Sequence, residues 1–400
     1  MGALHDGRFR RLLVGQSLSS LGDSALYLAL GIWAKDLTGS NAAAGAVFLC
    51  LALPVPFGPL AGHVVDRTGR RRLLIVTNAV AGTGVLALLL VRSTAQLPII
   101  YVVAVGYGCA FGLLRPALAG LVKDLVRGED LVTANAAIRT VGEGFRVLSP
   151  LVGAGLYTAA GGGALAVFDS ATFGVAILVL ATLRVEESEV PDGPSGGAID
   201  GVRHIRRTPL LAWMSLVAAA AFGVLGFFDS TDFAVVDQGL RHPPSFFGVL
   251  MSVQGAGSVL GGLTVARMIR RVGEARTVGA ALALCAAGSG LMTVPLTPVV
   301  LGGFVLAGVG VPWLLVGYAT AWQRHTPPRL IGRVSAAADL YLLLPQTASI
   351  AAGAALVGVL DYRVLLAACG ATLAVTGGLL LVRRVAAPDA VSPEATPARN

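Results

Sequence analysis

Four hundred residues would ordinarily fill two or three soluble domains, but 55% of these are hydrophobic and 13% charged, with mean hydropathy +0.77. Soluble domains carry roughly 25% charged residues, so the composition excludes an ordinary soluble protein. The net charge of +8 does not indicate nucleic acid, because the basic residues recur between apolar runs instead of gathering on one face or tail.

Apolar runs long enough to cross a bilayer as helices fall near residues 12–34, 42–65, 73–91, 98–121, 131–159, 163–183, 209–236, 244–266, 277–294, 298–321, 333–359 and 364–382. The basic start "RFRR" leads directly into the first, which can serve as a signal anchor in place of a cleaved peptide. With both termini in the cytoplasm, inside segments hold 23 basic residues and outside loops four, while Arg115, Arg139 and Arg146 lie within spans. That asymmetry predicts a multi-pass protein of the bacterial cytoplasmic membrane in this orientation. Residues 184–208 form the one long polar insertion, expected as a cytoplasmic loop between halves 1–183 and 209–387, and 388–400 read as a disordered tail. Cys50, Cys109, Cys285 and Cys369 stand singly in apolar runs, which suits neither a disulfide framework nor a metal cluster.

The halves align at a constant offset of 200: "GHVVDRTGRR" (62–71) over "GLTVARMIRR" (262–271), "SPLVGAG" (149–155) over "SIAAGAA" (349–355), and Asn135 over Ser335. A repeat in register across several loops predicts two parallel six-helix halves with a binding site between them.

"GHVVDRTGRR" also matches the Gly-x-x-x-Asp-Arg-x-Gly-Arg-Arg signature between spans two and three of the major facilitator superfamily, which the chain resembles along its whole length. The resemblance implies an all-α membrane fold of 12 transmembrane helices in two pseudo-symmetric six-helix bundles. It also implies a gating hairpin at Gly62, Asp66, Arg67, Gly69, Arg70 and Arg71; the second copy has lost the acid, with Ala266 in its place. Within the superfamily, Gln16, Ser20 and Gly22-Asp23 in "FRRLLVGQSLSSLGDSALYLAL", with "TANAAIRT" and "GRVSAAADLYLLLP", resemble the macrolide-efflux and siderophore-export branch of drug:proton antiporters. "SPLVGA" in span five is similar to the antiporter Gly-Pro-x-x-Gly-Gly motif, with Ser149 and Ala154 where that motif has glycine.

Charges inside the spans single out candidate residues. A mid-membrane Asp, Glu or Arg costs about 2.5–3.5 kcal/mol even on lenient scales, so each is expected to face protein or a wet cavity. Arg139, Glu143 and Arg146 share one helical face, a spacing that predicts an internal charge network with Arg115. Glu143, flanked by arginines, is expected to stay ionised, which makes it the poorer proton-coupling candidate and the better structural or gating partner. Asp23 has no basic residue within a turn or two of its own helix, which makes it the favoured proton-coupling acid, with Arg115 a possible cross-helix partner. Asp339, opposite Arg139 in the repeat, is a second carboxylate candidate, and Asp169 reads as structural.

Tyr107, Phe111 and Arg115 recur every four residues on span four, which lines the cavity in the resembled family; Tyr27 follows Asp23 at the same spacing. Phe228, Trp313 and Tyr318 are candidates to complete an aromatic wall for a bulky amphipathic substrate. No phosphate-binding Gly-x-x-x-x-Gly-Lys-Ser/Thr loop, metal-ligand spacing or nucleophile–base constellation is evident, so no cofactor and no enzymatic activity are expected. The expected function is proton-coupled efflux of a small hydrophobic or amphipathic compound by a monomer in the bilayer. An importer or facilitator on the same fold, or a membrane sensor, is the alternative.

Overall fold

Where no water reaches the backbone, apolar segments satisfy their own N–H and C=O groups as helices. The computed structural model describes residues 5–58, 64–65, 68–126, 130–183, 185, 198–327 and 330–382, and these are almost wholly helical. Helix α1 (Gly7–Thr38) is capped by Asp6, whose carboxylate accepts the Arg8 backbone N–H at 2.7 Å. Helix α2 (Asn41–Ala52) is capped by Ser40 and gives way at Pro54 and Pro56 to a 3-10 turn, Val55–Phe57. Helix α3 (Arg70–Val85) runs on as a tighter turn, Leu86–Leu90, and α4 spans Leu97–Leu125.

The helical stretch Asp130–Thr182 breaks at Gly161 (φ 78°, ψ 171°). Only glycine adopts that backbone readily, and it folds α5 (130–160) back against α6 (162–182). Helix α7 (Ala198–Arg207) lies in the connection between halves. The second half comprises α8 (Pro209–Leu225), α9 (Phe228–Ala234) ending in a π turn Val235–Gly239, α10 (Phe247–Val272), α11 (Glu274–Met292), α12 (Thr297–Arg324), α13 (Ile331–Leu356) and α14 (Tyr362–Val382).

Eight helical stretches among the described residues are long and apolar enough to cross a membrane. With α1, α2, α5 and α13 they make six passes in each half. The repeat is visible in the helix starts: Leu97 and Thr297 for α4 and α12, Asp130 and Ile331 for α5 and α13, 162 and Tyr362 for α6 and α14.

The helix ends that carry the N-terminus and α7 define one face of the bundle, here the terminal face. On it, Arg71 donates to the last carbonyls of α6, Leu180 O and Ala181 O, both at 2.7 Å, satisfying groups a helix end leaves unpaired. Arg70 pairs with Asp124 at the end of α4 and packs across Gly120. Gly69 is the residue that caps α3; Gly62, Asp66 and Arg67 lie outside the described residues. Helix α7 is held to the second half, by Arg333 on Asp200 at 2.9 Å and His204 Nε2 on His325 O at 3.1 Å.

The core is divided unevenly. On the far face, buried side chains of both halves form one continuous cluster, joining Phe48 and Val47 to Phe233, Phe247, Leu250 and Ile350. Toward the terminal face the second half has a separate cluster around Met214, Leu282, Leu314 and Val334. The halves are therefore packed together on the far side and part toward the terminal side.

Candidate functional site

Between the halves lies a cavity of about 770 Å³, lined by α1, α4 and α5 on one side and α10 and α12 on the other. The volume is that of a small-molecule site. Its wall is mixed. Gln16, Ser20, Ser24, Gln254 and Ser258 offer hydrogen-bonding groups, Asp23 and Arg115 opposite charges, and Phe111, Leu114, Phe145 and Met251 apolar surface.

Its deep end is stopped by aromatic rings. Tyr27 meets Phe48 of α2 at 5.4 Å between centroids. Phe48 in turn meets Phe233 of α9 at 6.1 Å and Phe247 of α10 at 6.4 Å, and the last two stack at 4.2 Å. Beyond this plug the halves touch closely. A side chain on Gly45 would collide with Ser230, and one on Gly248 would lie 2.5 Å from the Ala154 methyl. At the far face an ion pair crosses between the halves, Lys35 Nζ of α1 reaching Asp237 Oδ2 of the π turn at 2.7 Å. All of these contacts lie on the far side of the cavity, whose other lining residues, such as Gln16 and Leu118, descend toward the terminal face.

Asp23 sits where the cavity wall meets the packed first half, 6% exposed. Its partner is not Arg115 but Tyr107 of α4, whose hydroxyl lies 3.0 Å from Asp23 Oδ1. The same hydroxyl lies 2.5 Å from Asp169 Oδ2 on α6, a carboxyl with no exposed surface. The crossing depends on Gly22: a methyl there would come within 2.5 Å of Asp169 Oδ1 and of Thr172 Oγ1. Phe173 and Phe111 pack their edges against the Tyr107 ring at 6.0 and 5.1 Å, holding the phenol in place.

The other sequence candidates divide. Tyr27, Phe111 and Arg115 line the cavity, and Arg115 has no ion-pair partner among the described residues. Tyr107 lies behind that wall, buried. Residues four apart on a helix advance by about 40°, so a 107–111–115 stripe sweeps out of the cavity within two turns. Three aromatic candidates are elsewhere. Trp313 donates to Gly261 O and Thr264 Oγ1 at the α10–α12 contact, two residues and so about 200° round the helix from cavity-lining Val311. Tyr318 is buried against α8, bonded to Ser215 at 2.7 Å, and Phe228 packs against the far-side core. Asp339 is exposed on α13 and does not line the cavity. The backbone of α5 borders the cavity at Gly142 and Phe145; the side chains of Arg139, Glu143 and Arg146 lie outside the described residues. Among the described residues no three His, Cys, Asp or Glu side chains converge as a metal site would require.

Three features escaped sequence reading: the ring plug, the Lys35–Asp237 pair and the contact of Asp169 with Tyr107. One signal was available for the pair, since opposite charges end the equivalent first spans of the two halves.

Comparison with known proteins follows the same lines. The pattern of the Major Facilitator Superfamily matches residues 12–344. The chain is 24% identical over 386 residues to the uncharacterized MFS-type transporter YfiS of Bacillus subtilis (strain 168), covering 93% of this chain and 92% of that protein. It is 27% identical over 318 residues to the multidrug efflux pump Tap of Mycolicibacterium fortuitum, covering 74% and 76%. Among solved structures it superposes on the nucleoside transporter NupG with a TM-score of 0.74 at 15% identity, over 94% of this chain and 98% of that one. A bacterial homologue of the iron transporter ferroportin in an inward-facing state gives 0.73 at 16%, over 94% and 98%. These last two likenesses concern the fold. Twelve helical passes in two related halves, a cavity between them and a matching sequence pattern along most of the chain together mean that this protein is a non-enzymatic transporter and belongs to the major facilitator superfamily.

Proposed function

We propose that the protein exports a small amphipathic compound from the cytoplasm by alternating access, driven by inward movement of protons through Asp23. The observation that carries this reading is the placement of one poorly solvated acid, Asp23, in the wall of a cavity that is plugged on one side only. The basic terminal face is then the cytoplasmic one, so the conformation is loaded from inside. Substrate enters between the halves, rests on Phe111, Phe145 and Met251, and takes hydrogen bonds from Gln16 and Gln254. Opening the far side requires parting the Lys35–Asp237 pair and the Phe48–Phe233–Phe247 plug. The mixed wall, with a single cation and a single anion among the described lining residues, favours an amphipathic compound over a purely cationic one.

The similarity to Tap, named as a multidrug efflux pump, supports the export direction. Each proton moving inward supplies about 2.3 kcal/mol per 100 mV of membrane potential, enough for a roughly 40- to 50-fold gradient of a neutral substrate. The test is efflux from a host stripped of its own exporters, loaded with dyes and macrolide-like or siderophore-like compounds, with and without a protonophore. Efflux that stops with the protonophore is the expected result. Efflux indifferent to it would replace the reading with a facilitator or a different driving ion.

A further inference from the structure

Tyr107 carries one phenolic proton, yet its oxygen stands within hydrogen-bond distance of two carboxyl oxygens, Asp23 Oδ1 at 3.0 Å and Asp169 Oδ2 at 2.5 Å. A hydroxyl donates to one acceptor at a time and otherwise offers lone pairs. The second contact therefore needs a proton of its own, and it must come from a carboxyl group. With both carboxyls ionised, one would face the phenol's lone pairs, and two negative charges would stand together where even one is costly.

Among the described residues no cation pairs with Asp23 or Asp169. On α4, Arg115 lines the cavity without an ion-pair partner; on α1, Tyr27 lies one turn further along. On α6, the Thr172 hydroxyl donates chiefly to the Asp169 carbonyl at 2.7 Å and stands 3.5 Å from Asp169 Oδ1. Helix α3, packed on α6, holds its titratable residues Arg70, Arg71 and Arg72 at its terminal-face end. The α10 residues across the cavity, Met251, Gln254 and Ser258, do not titrate.

We propose that Asp23, Tyr107 and Asp169 are a proton-sharing triad: the two carboxyls hold one proton between them through the Tyr107 hydroxyl, Asp23 exchanging it with the cavity and Asp169 storing it out of reach of water. The use of that proton in transport rests on the export reading above; the sharing itself does not. The transfer is balanced. Protonated Asp23 gives its proton to the Tyr107 oxygen as Tyr107 passes its own proton to the Asp169 carboxylate; one O–H bond is broken and one formed at each oxygen pair. One proton moves from the cavity wall into the core, one negative charge moves outward to Asp23, and no electrons change hands. The reverse step reloads Asp23. Asp169 and Tyr107 are thus positioning residues that act through Asp23, and Gly22 is the gap that lets α6 bring Asp169 close.

The test is pH-dependent infrared difference spectroscopy of the full-length protein in lipid, which reads protonated carboxyl groups without any substrate. Asp23→Asn and Asp169→Asn are each expected to remove the signal of one carboxylic acid, and the double variant to remove no more than either alone, because the proton is common property. Tyr107→Phe is expected to shift that band in frequency. A double variant that loses two groups, or an Asp169→Asn variant that loses none, overturns the triad. Should Asp169→Asn not fold, Tyr107→Phe decides: an unshifted band refutes the bridge. A shared band alongside protonophore-insensitive efflux would leave the triad standing and remove the export reading. The opposite combination would remove the triad and leave Asp23 to exchange its proton without Asp169.

Discussion

Replacing Asp237 by Asn should unlatch the far face. Lys35 is 5% exposed and Asp237 48%, so the pair is neither a solvated surface bridge nor a fully buried one. Exposed pairs contribute about 0.2–1 kcal/mol, whereas truncating one partner of a buried pair costs roughly 3–5. Half exposure of the acid puts this contact between those limits. Lys35 also keeps its bond to Gly39 O at 2.8 Å in the variant. A loss of about 1–2 kcal/mol is therefore expected, which multiplies the far-side-open population about 5- to 30-fold. The assay is pulsed electron resonance between spin labels at Ala95→Cys and Val294→Cys, exposed far-face positions on opposite halves, with the four native cysteines replaced. Asp237→Asn should raise the share of long distances by that factor, and high salt should raise it in the parent but less in the variant. An unchanged distance distribution would refute the latch and leave far-side closure to the ring plug and the close contacts at Gly45 and Gly248.

Three further predictions follow from single contacts. Gly22→Ala puts a methyl 2.5 Å from Asp169 Oδ1 and Thr172 Oγ1, and overpacking of this kind costs roughly 1–3 kcal/mol. Its thermal midpoint and its proton-driven transport should both fall, while Gly84→Ala, which meets nothing within 4 Å, should be neutral or slightly stabilising. Arg71→Ala removes both bonds to Leu180 O and Ala181 O; about 2 kcal/mol should be lost, discounted for partial exposure of the guanidinium, and read as a lower thermal midpoint that Arg71→Lys restores only in part. The Arg8 side chain and backbone N–H beside Asp6 hold its carboxyl below the usual carboxylate range. A depressed folded value means the cap's stabilisation is present above the unfolded value and lost as pH falls through the folded one. Exchange protection of the first turn of α1 should therefore decline in acid, and Asp6→Asn, which keeps a cap oxygen but cannot ionise, should abolish that dependence.

The architecture was legible because it rests on one-dimensional signals. Apolar length marks the passes, basic residues mark their ends, and the offset of 200 reappears as matched helix starts. Asp23 was legible for the same reason, an acid isolated in an apolar run. Asp169 was equally isolated, but its meaning lies in Tyr107 standing between α1 and α6, and no spacing along one helix encodes a contact among three. Period-four counting found Phe111 and Arg115 and failed at Tyr107, because four residues overshoot a turn. The aromatic-wall expectation failed at Trp313 because an aromatic ring in an apolar span fits a helix–helix contact as well as a cavity wall. The ring plug joins residues from α2, α9 and α10, each of which reads alone as ordinary apolar packing.

In the proposed mechanism Asp23 couples proton movement to substrate movement. The most direct measurement uses proteoliposomes, comparing the parent protein with Asp23→Asn in two modes: uptake driven by an imposed pH gradient, and exchange of labelled for unlabelled substrate with no gradient. Asp23→Asn is expected to lose gradient-driven uptake by tenfold or more while exchange continues, because the halves still rock and the cavity still binds. Gradient-driven uptake that survives Asp23→Asn at the parent rate would contradict it.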